Sequence, residues 1–293
     1  MTTDNKPLVQ FGWLRVLLYV MLSLAIITAV QLLFAVIRAA SGKQPDNDES
    51  LPGFLMNYLV VAVVMTGIGF LFRRLIDRQS IRSMGFQWRG YRGQAASGFF
   101  LGTLLLATGS MILVMTGHLF FTSASWQPQE QLLSFLLFII VAFTEEIAFR
   151  GYMLNNLMQS SGKWVALLIS ASIFALFHSL NAHITLLAIL NIFVAGILLG
   201  VNYLFTRNLW FSVFLHFSWN YFQGPVFGFE VSGVPISGLM QQSQKGPDIL
   251  TGGAFGFEGS VICLGLTTIA SVLLASYYAG YRKSKAPEKN LVA

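Results

Sequence analysis

The stretch 132–154 reads LLSFLLFIIVAFTEEIAFRGYML. It is apolar over a length that spans a bilayer, which takes about 20 residues. Toward its middle it nevertheless carries Glu145, Glu146 and Arg150. Ionisable groups inside a spanning helix are costly and usually mark function. The stretch therefore predicts a membrane helix and points to a buried site within it.

Working outward, the same apolar character recurs along the chain. Eight apolar segments lie near 13–37, 53–72, 96–117, 132–154, 164–180, 184–205, 209–222 and 259–279. The fifth and seventh are short, and the seventh can continue through Gly224 and Pro225 as a broken or re-entrant piece, which is tolerated at membrane depth when protein or a water-filled cavity satisfies its backbone. Of the 293 residues, 55% are hydrophobic and only 10% charged. A soluble domain carries roughly a quarter charged residues, so this surface is made to face lipid. The first apolar run, Trp13–Ile37, exceeds the roughly 7–15 residues of a signal-peptide core and is expected to span. The fold expected is all-α: a polytopic membrane protein of about eight transmembrane helices around a central polar cavity. No polar linker divides it, so 1–293 is expected to form a single integral-membrane domain.

The net charge of +6 would fit nucleic acid in a soluble protein. Here it fits cytoplasmic loops and anionic headgroups, and nucleic acid is not an expected partner. Arg73, Arg74, Arg78, Arg82, Arg89 and Arg92 follow segment two, Lys163 follows segment four, Arg207 follows segment six, and Arg282, Lys283, Lys285 and Lys289 lie in the tail. If all eight segments span, these fall on one side, and the positive-inside rule puts both termini in the cytoplasm. Arg38 and Lys43 dissent, accompanied by Asp46, Asp48 and Glu49. The single cysteine, Cys263, excludes a disulfide framework and a Cys-based zinc site and reads as a packing residue. Gly196 and Gly200 form a small-xxx-small spacing that marks close helix packing.

Helical geometry sorts the buried polar residues. Side chains four apart share a face, and adjacent ones diverge by about 100°. Glu146 and Arg150 are four apart in the order that favours an ion pair, so Glu146 is expected to neutralise Arg150 while Glu145 stays free. An unpaired carboxylate in an apolar site suits a general base near neutral pH. His216 and Asn220 share a face of segment seven, and Phe174 and His178 repeat the spacing in segment five. Three helices can thus present Glu145, His178 and the His216/Asn220 pair to one cavity. A carboxylate with an imidazole can hold and deprotonate a water, and imidazole and amide N–H groups can stabilise an oxyanion. Blander roles compete: a Glu–Arg pair in a bundle can be purely structural, and an intramembrane His also serves as a helix–helix hydrogen-bond donor. His183 beside Asn181 reads as a helix-boundary residue. Asn155, Asn156, Asn191 and Asn202 read as packing or cap residues, and Trp88, Trp126 and Trp210 as an aromatic belt.

Three motifs carry a resemblance. Glu145-Glu146-Ile147-Ala148-Phe149-Arg150, Phe174-Ala175-Leu176-Phe177-His178 and His216-Phe217-Ser218-Trp219-Asn220 occur intact and in order on successive apolar segments. Together they resemble the CAAX prenyl protease and bacteriocin-processing (CPBP, or Abi) family of intramembrane peptidases, over about 130–222, the expected peptidase core. The resemblance implies an eight-helix membrane fold with a water-accessible cavity. It assigns Glu145 and His178 to water activation, His216 and Asn220 to the oxyanion, and Glu146, Arg150 and Phe174 to support. It implies a membrane-anchored peptide or protein substrate, prenylated or not, and family members also include scaffolds and immunity proteins. A zinc-dependent, metalloprotease-like version using Glu145, His178 and His216 stays open, although the His-Glu-x-x-His signature is absent; no cofactor is favoured. A proton-coupled transporter, which would also bury Glu and His, lacks the expected inverted repeat.

Overall fold

The computed structural model describes residues 6–40 and 50–285. Lys43, Asp46, Asp48, Glu49 and Lys289, used above in the charge pattern, lie outside the described residues. Eight helices carry the architecture of the described residues: α1 (Gly12–Ala40), α2 (Leu51–Leu71), α3 (Arg92–Met115), α4 (Pro128–Glu145), α5 (Lys163–Phe177), α6 (Leu186–Thr206), α7 (Trp210–Tyr221) and α8 (Val261–Lys285). With no water in the hydrocarbon to satisfy backbone N–H and C=O groups, apolar runs of this length must bond internally, and the helix does so.

Among the described residues six helical stretches are long and apolar enough to cross a membrane: Gly12–Ile37, Leu51–Ile76, Arg92–Met115, Pro128–Leu157, Leu186–Thr206 and Val261–Gly280. The protein is an integral membrane protein. The expected short segments are the short helices, with 15 residues in α5 and 12 in α7. At 1.5 Å per residue α7 is about 18 Å long, short of the roughly 30 Å hydrocarbon core. It is sheltered by its neighbours, with Phe211, Leu215, His216, Trp219 and Asn220 all buried. It does continue past its end, as a π-helical turn, Phe222–Val226, containing Pro225. The Pro225 carbonyl accepts a 3.0 Å hydrogen bond from Gln131 Nε2 on α4, so protein satisfies the irregular backbone.

Small residues set the closest helix pairs. A Cβ at Gly98 of α3 would collide with the Phe211 carbonyl oxygen, and one at Gly102 with Ser218 Oγ, both on α7. The spacing at Gly196 and Gly200 does the same work between α6 and α5, where a Cβ on Gly196 would meet Ala171 at 3.0 Å.

A buried ionic knot ties the start of α1 to the ends of α2 and α4. Asp77, 1% exposed, accepts from Arg15 at 3.1 Å, from Arg73 at 2.9 Å and from Asn156 Nδ2 at 3.1 Å. Two arginines share one carboxylate, and Arg15 gives its second arm to Gln159 Oε1 at 2.8 Å.

Two strands, β1 (Leu119–Ala124) and β2 (Met240–Gln244), pair antiparallel with an irregularity between Phe121 and Ser123. The sequence carries no alternating pattern that announces them. They bring the segment after α7 back beside the end of α3, and that segment then lines the central cavity at Val231, Ser232, Val234, Ile236 and Glu258. Its Gly233 N–H donates to the Phe255 carbonyl at 3.0 Å. Asn191 of α6 donates to the carbonyls of Glu258 and Ser260 at 2.7 and 2.9 Å, which anchors the entry to α8. Cys263 is buried, as a packing residue would be.

Candidate active site

Glu145 is the last α-helical residue of α4. From Glu146 to Leu154 the same helix widens into a π-helix, and it ends with a short α turn at Asn155–Leu157. π-Helical stretches inside α-helices frequently occur at functional sites. All nine residues of this one are buried.

The expected pair forms: Arg150 Nη1 donates to Glu146 Oε1 at 2.8 Å. Arg150 also donates to the Gly196 carbonyl at 3.0 Å and lies with Cζ 4.7 Å from the centre of the Phe174 ring. Glu146 does more than neutralise Arg150. The same Oε1 lies 2.9 Å from His216 Nδ1, so one carboxylate joins α4 to α7. Glu145 is not wholly free either. Its Oε1 accepts a 2.9 Å hydrogen bond from the Tyr58 hydroxyl of α2. Its Oε2 is buried with no hydrogen-bond partner among the described residues.

The remaining residues converge on that oxygen. His178 is the residue that caps the C-terminus of α5. Its Nδ1 sits 2.8 Å from the Phe174 carbonyl, and since a carbonyl only accepts, Nδ1 carries the proton. The other ring nitrogen, Nε2, stands 3.8 Å from Glu145 Oε2, and His216 Nε2 stands 3.9 Å from the same oxygen. The Phe174 ring packs against both imidazoles, with centroids 4.6 Å from His178 and 6.2 Å from His216. Asn220 is buried on the His216 face of α7 and borders the same cavity, with no hydrogen-bond partner among the described residues.

These groups open into a central cavity of about 320 Å³. Along α2 it runs past Phe54, Tyr58, Val61 and Met65, about 16 Å at the helical rise. Most of its wall is apolar. The polar groups in it are Tyr58, Glu145, His178, Asn181, His216, Asn220, Ser232, Glu258 and Thr267. Asn181, two residues before His183, donates to the Ser232 carbonyl at 3.0 Å. Neither Tyr58 nor Glu258 is among the sequence-based candidates. A tyrosine in an apolar run carries no signal, because phenols are ordinary in membrane helices. Glu258 does carry one: it is an ionisable residue in the otherwise apolar, glycine-rich run Ala254–Gly259 beside segment eight. His183 stays outside the cavity lining, exposed, with a left-handed φ of 56°.

Residues 127–222 match the family model described as Rce1-like, type II CAAX prenyl endopeptidase Rce1-like. The matched stretch runs from the cap of α4 to the end of α7 and contains all three motifs. Over these residues, about a third of the chain, the protein is similar to type II CAAX prenyl endopeptidases. No curated protein and no solved structure gives a significant match.

Proposed function

We propose that the protein is an intramembrane endopeptidase that cuts a peptide bond of a membrane-anchored protein or peptide with a water activated by Glu145 and His178. The observation that carries this reading is the approach of His178 Nε2 to Glu145 Oε2 at 3.8 Å. Both atoms are acceptors when His178 is neutral, and a water with its two protons fits between them. Two hydrogen bonds of about 2.8 Å close a gap of that width with an angle of about 85° at the water. The water donates to both and keeps its lone pairs for attack.

The chemistry balances with the residues at hand. The water oxygen bonds to the substrate carbonyl carbon while Glu145 takes a proton. The carbonyl oxygen becomes an oxyanion, which the Asn220 amide N–H and His216 Nε2–H stabilise. For His216 to donate there, its ring carries both protons and is an imidazolium paired with Glu146 at Nδ1. The proton held by Glu145 then passes to the leaving nitrogen as the C–N bond breaks. Arg150 and Phe174 hold Glu146 and the two rings in place.

The apolar length of the cavity supports a substrate whose flanking residues or anchor are hydrophobic. The test is cleavage of membrane-anchored peptides by the purified protein. Glu145→Gln keeps the shape of the side chain and removes the base, so cleavage should disappear while the protein stays folded. Cleavage that survives this change overturns the mechanism. A wild-type protein that binds such peptides and cuts none of them is a scaffold instead.

A further inference from the structure

Glu258 is the one carboxylate in the cavity wall that the proposed chemistry does not use. It lies in a short helical turn, Phe257–Gly259, just before α8. Three neutral donors hold it. Trp219 Nε1 donates to Oε1 at 3.1 Å, and the backbone N–H and Oγ of Ser232 donate to Oε2 at 2.9 and 2.7 Å. These donors satisfy both oxygens without supplying a counter-charge. Among the described residues no Lys or Arg pairs with Glu258, and none lines the cavity. The buried guanidinium of Arg150 is bonded to Glu146 and the Gly196 carbonyl. The titratable groups lining the cavity are therefore two carboxylates, Glu145 and Glu258, two imidazoles, His178 and His216, and the Tyr58 phenol.

Charge in a largely apolar cavity wall is costly unless it is matched. A purely mechanical clamp between Trp219 and Ser232 needs an acceptor but no net charge. The unmatched charge in the wall is what a cationic ligand would meet. Its position ties it to the reaction centre, because Trp219 stands next to Asn220 in the chain and three residues after His216 on α7. Glu145, Asn220 and Glu258 line one cavity, so a substrate bound across the first two shares that cavity with Glu258.

We infer that Glu258, fixed by Trp219 and Ser232, is a subsite for a cationic group of the substrate, a protonated amine or guanidinium lying within a few residues of the bond to be cut. The group is a Lys or Arg side chain or a free N-terminal ammonium. A free substrate carboxylate in the same place meets like charge and no lysine or arginine. This rests on the reading of the cavity as a peptidase site and adds its charge preference.

The experiment uses the full-length protein in liposomes and a set of lipid-anchored peptides that differ at one position at a time. That position is Lys, norleucine or Glu, and a second set compares free with acetylated N-termini. At one position Lys should be cut about tenfold faster in kcat/KM than norleucine, the scale of a partly desolvated ion pair, and Glu should be slowest. Glu258→Gln should remove the advantage of Lys and leave the norleucine peptide nearly unchanged. Trp219→Phe keeps the charge while dropping one hydrogen bond, so the Lys preference should persist in it even where turnover falls. A preference for the free over the acetylated terminus, with none for internal Lys, identifies the N-terminal ammonium as the cation. Equal rates for Lys and norleucine at every position, and for both termini, overturn the inference, as does a preference that survives Glu258→Gln. Binding of the same peptides to the Glu145→Gln protein gives the separate reading. If no peptide is cut, a Lys preference in Kd that depends on Glu258 still supports the subsite, and its absence rejects it.

Discussion

The hydroxyl of Tyr58, on α2, donates a 2.9 Å hydrogen bond to Oε1 of Glu145, at the end of α4. The bond occupies one carboxylate oxygen and leaves the other, Oε2, as the oxygen that faces both imidazoles. On the proposed mechanism Tyr58 is a positioning residue that decides which oxygen receives the proton of the water. It lies outside residues 127–222, the stretch that matches the family. Tyr58→Phe removes the hydroxyl and keeps the ring. A hydrogen bond to a charged group contributes about 1.5–3 kcal/mol, so kcat should fall about ten- to a hundredfold with little change in KM or in thermal midpoint. Unchanged kcat in Tyr58→Phe would show that Glu145 orients itself without the phenol.

The two glutamates should separate by stability as well as by activity. Glu146 is fully buried, and its Oε1 serves both Arg150 and His216. Glu146→Ala leaves a buried guanidinium without its counter-charge, and breaking a buried pair from one side costs about 3–5 kcal/mol in soluble proteins. Glu145 has one neutral hydrogen bond and a cavity beside it, so Glu145→Gln is expected to cost little. Thermal unfolding in detergent compares them: a large drop is expected for Glu146→Ala and a small one for Glu145→Gln. Equal midpoints would remove the division of labour between them.

The polar residues of the site were legible because each interrupts an apolar run. Glu145, Glu146, Arg150, His178, His216 and Asn220 stand out in segments that otherwise have no reason to carry them. Their partners were not legible to the same degree. Spacing along one helix gives the Glu146–Arg150 pair, but no spacing announces that Glu146 also reaches His216, 70 positions away. Tyr58 is 87 positions from Glu145 and belongs to a residue type that apolar helices accept freely. Arg15 sits near the start of α1, where a flanking cation is unremarkable, and only the fold reveals that it shares Asp77 with Arg73. The β1–β2 pair joins strands separated by the whole stretch that matches the family, and MQQSQ in β2 has no alternation to mark its inner face. Local pattern reports costs paid within one element, while these contacts are paid for between elements.

The orientation of the bundle follows from the basic loops and has a direct test. The Arg-rich segment after α2 is expected in the cytoplasm, and β1, after α3, on the opposite side. Gln79 and Ser123 are both exposed, and the one native cysteine, Cys263, is buried. Cysteines placed at Gln79 and Ser123 should therefore react with an impermeant thiol reagent without background, Gln79→Cys from the cytoplasmic face and Ser123→Cys from the other. Labelling of both from one face refutes the arrangement.

Metal dependence turns on the protonation of one ring. A zinc ion held by Glu145, His178 and His216 needs a lone pair on both Nε2 atoms, and the partners at Nδ1, the Phe174 carbonyl and Glu146, are of the kind that orient zinc-bound imidazoles. The metal-free reading needs a proton on His216 Nε2 to meet the oxyanion. Distance separates the two. Tetrahedral zinc with ligand bonds near 2.0–2.2 Å brings ligand atoms to roughly 3.4 Å from one another, whereas both imidazole nitrogens stand at 3.8 and 3.9 Å from Glu145 Oε2, a spacing that supports a bridging water. Among the described residues no three His, Cys, Asp or Glu side chains are grouped tightly enough to suggest a metal site. Protein dialysed against a chelator should therefore keep its cleavage rate, and added zinc should not raise it. About one tightly held zinc per chain, with activity lost on its removal and restored on its return, would assign His216 to the metal and leave Asn220 as the remaining oxyanion donor.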